Sequence, residues 1–294
     1  GKDVSSFQAL MVSTASRVGT GNIIGVSTAI CLGGFGAVFW MWVSAFFGMA
    51  VAYMEAVLAQ IFKEKKNDEF VGGLPFYGRK LLGNKAYVGV FLSLLYILYA
   101  LCCLPAQGFN VVSSVGRMAE IVTGSAIATD SAFYYIVGAI TIVLTFFAVF
   151  GGIKKVTRWT DRMVPIMAVL YVVTVLVLIL LNLNTVPYFF KAVFGGAFHP
   201  EAVFGGMFGT VLAQGIKRGL FSNEAGMGSA PNAAASAAVS HPAKQGLVQM
   251  LSVFIDTLLI CTATAMMCLS SGLIPSENLT GAGFVQNALA VNFG

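Results

Sequence analysis

Seven apolar stretches dominate the chain, at roughly residues 8–32, 35–62, 86–115, 132–152, 163–183, 200–218 and 246–272, and most of the charges fall between them. Each approaches or exceeds the roughly 20 residues a helix needs to cross a bilayer. A soluble core does not account for them: 57% of the residues are hydrophobic and 10% are charged, where soluble domains carry about 25% charged residues. Hydrocarbon offers the backbone no hydrogen bonds, so spanning segments of this kind must satisfy their own as helices. The expected fold class is an all-α integral membrane protein.

The charges test that count. Taking alternate connections as one side, that side carries Lys2; Lys63, Lys65, Lys66, Arg79, Lys80 and Lys85; Lys154, Lys155, Arg158 and Arg162; and Lys217, Arg218 and Lys244. The other side carries Arg117 and Lys191, while Arg17 lies within the first stretch. Fourteen cations against two is the asymmetry that separates cytoplasmic from outer loops, and a missed or invented helix would scramble it. The first helix is therefore expected to start in the cytoplasm and the seventh to end outside. Within the basic connection, Leu74, Pro75, Phe76 and Tyr77 stand beside Arg79 and Lys80, which suits a short interfacial helix near 72–83. Trp40, Trp42 and Trp159 lie near expected membrane boundaries.

The first stretch contains a fault. Gly19-Thr20-Gly21-Asn22 removes helix preference near its middle. Bare backbone persists in a membrane only where protein shields it or where it lines a wet cavity, and secondary transporters build substrate and ion sites from such broken helices. The sixth stretch, with Phe204-Gly205-Gly206-Met207-Phe208-Gly209-Thr210, is also glycine-interrupted and runs in the opposite direction. Two interrupted segments five helices apart fit an inverted repeat, although glycines also permit close helix packing.

Polar residues within the apolar stretches are the candidate site. Glu55 lies in the second and Asp256 in the seventh, and ionisable groups at such depth are costly and usually functional. For each a structural bond to unwound backbone is the competing reading. Gln107 and Asn110 follow Pro105 in the third stretch and suit a zwitterion better than an ion pore. Thr210 and Gln214 share one face of the sixth. A carboxylate would seek free N–H groups at a half-helix N-terminus, around Thr20 and Gly21. A sodium ion would seek oxygens from unwound backbone, Asn22 and Asp256. Phe208 or Phe109 is a candidate cap over a small pocket.

Other classes are disfavoured. The excess of 17 Lys and Arg over 12 Asp and Glu sits in short loops, without the aromatic-interleaved basic surface of a nucleic-acid binder. The five cysteines have no CxxC spacing, and His199 and His241 each stand alone before a proline, so neither a metal nor a disulfide is expected. No GxSxG or HExxH occurs, and Ser222-Asn223-Glu224-Ala225-Gly226 has no adjoining base, so no enzyme and no cofactor are expected. A channel would need a charge ring or a repeated carbonyl filter. The chain opens on Gly1-Lys2 and reads as an excerpt.

Two motifs carry a family resemblance. Arg17-Val18-Gly19-Thr20-Gly21-Asn22-Ile23 and Gly219-Leu220-Phe221-Ser222-Asn223-Glu224-Ala225-Gly226-Met227-Gly228-Ser229-Ala230-Pro231 resemble signatures of the alanine or glycine:cation symporter family. Gly19 to Asn22, Gly33 to Ala37 and Glu55 more distantly resemble the first core helices of the neurotransmitter:sodium symporters. The resemblance implies a LeuT-type core of two inverted five-helix repeats. Residues 1–183 would form the first, and residues 184–294 the start of a second that is cut short. It implies sodium-coupled, or alternatively proton-coupled, uptake of alanine or glycine across a prokaryotic plasma membrane. By position Thr20 and Gly21 would hold the substrate carboxylate, with Gln107 facing it. Phe208, Gly209, Thr210 and Gln214 would come from segment six. Asn22 and Asp256, with Ala15 and Val18, would serve sodium; Glu55 and Asn110 would support the site. The implied partners are the amino acid, sodium and the bilayer, with the oligomeric state left open.

Overall fold

The computed structural model describes residues 5–19, 21–66, 69–128, 130–150, 152–198, 207–274 and 281–293. The first stretch forms two helices, α1 (Ser6–Arg17) and α2 (Gly21–Gly33). A capping box starts α1: Ser5 Oγ accepts the Gln8 N–H at 3.1 Å, and Gln8 Oε1 accepts the Ser5 N–H at 3.0 Å. Then follow α3 (Gly36–Ile61), strands β1 (Glu64–Lys66) and β2 (Glu69–Val71), α4 (Leu74–Leu81), α5 (Ala86–Thr123), α6 (Ala132–Val149), α7 (Ile153–Leu181) and α8 (Thr185–Ala197). The chain ends with α9 (Met207–Asn223), α10 (Ala230–Ser236), α11 (Pro242–Ser270) and α12 (Gly281–Phe293).

Five helices among the described residues are long and apolar enough to cross a membrane, within α3, α5, α6, α7 and α11. The other two expected spans fall short for different reasons. The first is broken, so neither piece is long enough alone. The sixth is described only from Met207, and α9 has 17 residues. The expected second break is placed only in part. Residues 204–206 lie outside the described residues, and from Met207 through Gly209 and Thr210 the helix is regular. The interfacial helix is present as α4, opened by Pro75 in its first turn.

Three helices, α8, α10 and α12, and an antiparallel hairpin pairing Glu64 with Val71 were not expected from sequence. α5 also runs past residue 115 to Thr123 and carries Pro105 inside it. That proline has no N–H, so the Leu101 carbonyl loses its helical donor.

α3 is the central post. Its buried face is a stripe of small residues, among them Gly36, Ala37, Ala45, Gly48, Ala52, Ala56 and Ala59. Small residues let backbones approach, and α8, α9, α10 and α11 all pack on this helix. The largest buried cluster joins Val26 and Ile30 of α2, Met41 of α3, Phe189 of α8, Cys268 of α11 and Phe284 of α12. The last carbonyls of α10 are satisfied from the end of α3 and the residues just after it: Gln60 Nε2 bonds the Ala234 and Ala237 oxygens, and Lys63 Nζ reaches Ala237 O at 2.8 Å. α6 instead buries no residue, and its apolar surface faces outward, as lipid-facing helices do.

The closest backbone approach sets a prediction. A Cβ on Gly36 would lie 2.3 Å from the Gly196 carbonyl carbon and 2.5 Å from the Ala197 nitrogen. Backbone cannot swing aside as a side chain can, so Gly36→Ala should force α3 and α8 apart. The expected cost is about 1–3 kcal/mol, read as a lower melting temperature of the purified protein. An unchanged melting temperature would show that the two helices separate freely.

Candidate functional site

α1 ends at Arg17, and Val18 turns into extended backbone (φ −74°, ψ 94°). Thr20 lies outside the described residues. The helix resumes at Gly21 in a wide π-helical turn through Gly25. The break is therefore shorter and slightly earlier than expected, because Gly21 and Asn22 are already helical. The Gly19 N–H leaves the Ala15 carbonyl and bonds Asn22 Oδ1 at 2.9 Å. Gly21 fits a tight approach: a Cβ there would sit 3.2 Å from Ser222 Cα.

A second π-helical stretch faces the first. Residues Phe254–Cys261 of α11 are wound this way, and Asp256 lies fully buried within them. Such wide turns bring side chains and carbonyls out of regular register, and they occur frequently at functional sites. Asn22 Nδ2 donates to Asp256 Oδ1 at 2.7 Å and to the Asp256 carbonyl at 3.1 Å. Ser222 Oγ and Thr257 Oγ1 donate to Asp256 Oδ2 at 2.9 and 2.8 Å. No basic side chain lies within ion-pair distance of this carboxylate among the described residues. Neutral donors satisfy its lone pairs, and the opposite charge that acts on it, the buried Arg17 guanidinium, does so from beyond ion-pair distance. A carboxylate buried this way is the chemistry that takes up a small monovalent cation or a proton.

Around this centre the helix ends are tied together. Arg17 is 2% exposed. Its Nε donates to the Asn223 carbonyl at 2.7 Å and its Nη1 to Gln249 Oε1 at 2.9 Å. Gln249 Nε2 bonds Ser13 Oγ at 2.7 Å, and Thr14 Oγ1 lies 3.2 Å from Ser252 Oγ. Gln245, Gln249, Ser252 and Asp256 thus form a polar stripe on α11, all fully buried. Gln249, Ser252 and Asp256 bond the first stretch. The segment after α9 completes the knot. Glu224 Oε2 accepts from Ser16 Oγ at 2.6 Å and Ser229 Oγ at 2.7 Å, while the Gly226 N–H bonds Glu55 Oε2 at 3.0 Å.

Two cavities meet at the break. One of about 600 Å³ is lined by Arg17, Gly19, Gly21, Tyr96, Tyr99, Gln107, Phe221 and Glu224. The other, of about 340 Å³, is lined by Val18, Gly19, Asn22, Ser114, Tyr171, Ile260 and Gln286. Gly19 lines both, so the broken backbone is part of the partition between them. Both volumes suit a small-molecule site.

The sequence candidates divide accordingly. Asn22 and Asp256 are brought into direct contact, and Gly21 and Gln107 share the larger cavity, which Ala15 also lines. Val18 lines the smaller one. Gly209 and Thr210 are exposed on α9 and line neither cavity, and the Phe208 side chain lies outside the described residues. Gln214 packs beside Gly33 rather than at the break. α9 reaches the break with its opposite end, at Phe221 and Ser222, about 18 Å further along the helix than Thr210. Phe109 is 72% exposed and caps neither cavity. Glu55 accepts the Gly226 N–H of the segment after α9, not a bond from the broken helix, and Asn110 stays half-buried in α5, outside both cavities. Ser222, Thr257 and Arg17 were not chosen from sequence. The i, i+4, i+7, i+11 spacing of the polar stripe on α11 was the available signal for its depth of burial.

Comparison with known proteins shows the family. The model of the sodium:alanine symporter family matches residues 1–294. The amino-acid carrier protein AlsT of Bacillus subtilis is 43% identical over 296 residues, 100% of this chain and 60% of that protein. The sodium/alanine symporter AgcS of Methanococcus maripaludis is 40% identical over 279 residues, 95% of this chain and 60% of that protein. A Bacillus subtilis protein described as "Probable sodium/glutamine symporter GlnT" is 40% identical over 291 residues, 99% of this chain and 59% of that protein. The chain spans about three fifths of the length of these relatives. A family match over residues 1–294 and relatives at 40% identity or more settle one assignment: the chain belongs to the sodium:alanine symporter family.

Proposed function

We propose that the protein carries a small neutral amino acid, alanine or glycine, into the cell together with sodium, by alternating access. The observation that carries this reading is the cation-ready Asp256 carboxylate, bonded to Asn22 directly beside a backbone break that separates two cavities. Sodium would sit among the Asp256 carboxylate, the Ser222 and Thr257 hydroxyls and the freed carbonyls near Ala15 and Val18. The amino-acid carboxylate would take backbone N–H groups at Thr20 and Gly21, and Gln107 would bond its polar end. The loop charges would turn the larger cavity, which Glu224 lines, toward the cytoplasm. Residues 1–183 would form one five-helix repeat and residues 184–294 the beginning of its inverted partner, in a multi-pass plasma-membrane protein.

Uptake of labelled alanine into proteoliposomes tests the coupling. Uptake should follow an inward sodium gradient. Uptake driven equally by a proton gradient without sodium would favour the proton-coupled alternative, and uptake needing neither would favour a passive pore. Excess unlabelled alanine and glycine should compete more strongly than glutamine.

Gln107→Ala should raise the half-saturating alanine concentration about fivefold, the value of one ordinary hydrogen bond, with little change in sodium dependence. An unchanged constant would move the substrate away from α5.

A further inference from the structure

The structure assigns a separate binding site, for the phosphate headgroup of an anionic phospholipid, to the groove between the β1–β2 hairpin, α4 and the start of α5. The groove encloses about 400 Å³ and shares no lining residue with the two cavities at the break. Its walls are of two kinds. Pro75, Phe76, Val90 and Leu94 are apolar, while Lys66 and Arg79 are basic. The apolar wall continues into the outward face of α5, where Tyr87, Val90, Phe91 and Leu94 are all about 60% exposed or more. On a helix of spanning length that face meets acyl chains.

The basic wall has donors to spare. Glu64 also lines the groove, but its Oε1 already accepts Arg79 Nη2 at 2.6 Å. A guanidinium has five N–H donors and the bond to Glu64 occupies one of them, while Arg79 Nε is buried without a partner. Lys66 is exposed; it stands opposite Glu69 across the hairpin, with no ion pair between them. Over residues 63–85 the chain carries six cations against three acids, on the side that the loop charges mark as cytoplasmic.

Only an amphiphile satisfies both walls. Inorganic phosphate would leave the apolar wall uncovered. A zwitterionic lipid brings its own cation against Lys66 and Arg79. An anionic phospholipid places phosphate at the basic edge and chains along Val90 and Leu94, as basic pockets beside spanning helices do. The groove also bears on the transport core: α4 packs on α3, and β2 packs on α10.

The test mixes the purified protein with micelles holding equal amounts of phosphatidylglycerol and phosphatidylcholine, and counts retained lipid by native mass spectrometry. Phosphatidylglycerol should be retained about fivefold or more over phosphatidylcholine, and Lys66→Glu should lower that ratio by at least the same factor. Glu64→Gln, which releases Arg79, should raise it. Circular dichroism on both variants checks that the fold survives. Equal retention of the two lipids by the unaltered protein, or an unchanged ratio in Lys66→Glu, overturns the assignment. Displacement of the lipid by inorganic phosphate also overturns it, and assigns the groove to the free anion.

Discussion

Asp256→Asn raises the sodium concentration for half-maximal alanine uptake by about tenfold or more in proteoliposomes. The reasoning starts from geometry. Asparagine matches the volume of aspartate, and its Oδ1 can still accept from Asn22 Nδ2, as Asp256 does at 2.7 Å. The hydroxyls of Ser222 and Thr257 can turn to accept from the new amide, so the packing survives. What disappears is the charge. Two unit charges 4 Å apart attract by about 4 kcal/mol at a partly screened protein site. If a third of that attraction is realised as binding, the loss is about 1.4 kcal/mol, a factor of ten. Asp256→Ala is the harsher test, since it strands one amide and two hydroxyls in a fully buried position. It should lower the melting temperature as well as uptake, while Asp256→Asn should affect uptake alone. An unchanged sodium dependence in Asp256→Asn would make the carboxylate a structural acceptor.

Arg17→Ala should produce the largest loss of stability, about 3 kcal/mol, read as a lower melting temperature in detergent. Among the described residues, the guanidinium is the only group joining the end of α1 to the Asn223 carbonyl and to Gln249 at once. Its removal leaves two buried acceptors bare and empties the space of a long side chain. Both bonded acceptors are neutral, and no carboxylate lies within ion-pair distance of this cation among the described residues. Arg17→Lys keeps the charge but cannot reach in two directions, so its melting temperature should fall between the two. Equal stability of Arg17→Ala and the unaltered protein would show that the polar contacts of Ser13, Thr14 and Asn22 hold the broken helix by themselves.

Some of this architecture is written locally and some is not. The break was legible because glycine, threonine and asparagine cluster inside an apolar run, and the interfacial helix because apolar and basic residues mix before Gly83. Asp256 stood out as a lone charge among Val, Phe, Ile and Leu. Its partner Ser222 did not, since a serine near a helix end has many local uses and its bond to Asp256 spans 34 residues. The two facing π turns have no composition signal; they arise where Asn22 and Asp256 meet. α8 and α12, with 13 residues each, are too short to register as spans, and their burial depends on α2, α3 and α11. The segment-six choices rested on glycine content near Gly205. Gly209 and Thr210 lie near the first described residues of α9, whereas the site is met by its end, where Ser222, Asn223 and Glu224 each bind a different residue around the break.

The central claim is that a cation at Asp256 and an amino acid at the broken helix bind as one coupled unit. Equilibrium binding of labelled alanine to the purified protein, in sodium and in choline, tests it most directly. The account predicts binding about tenfold or more tighter in sodium, with that advantage lost in Asp256→Asn. Equal affinity in the two salts, or a sodium advantage that survives in Asp256→Asn, would contradict it.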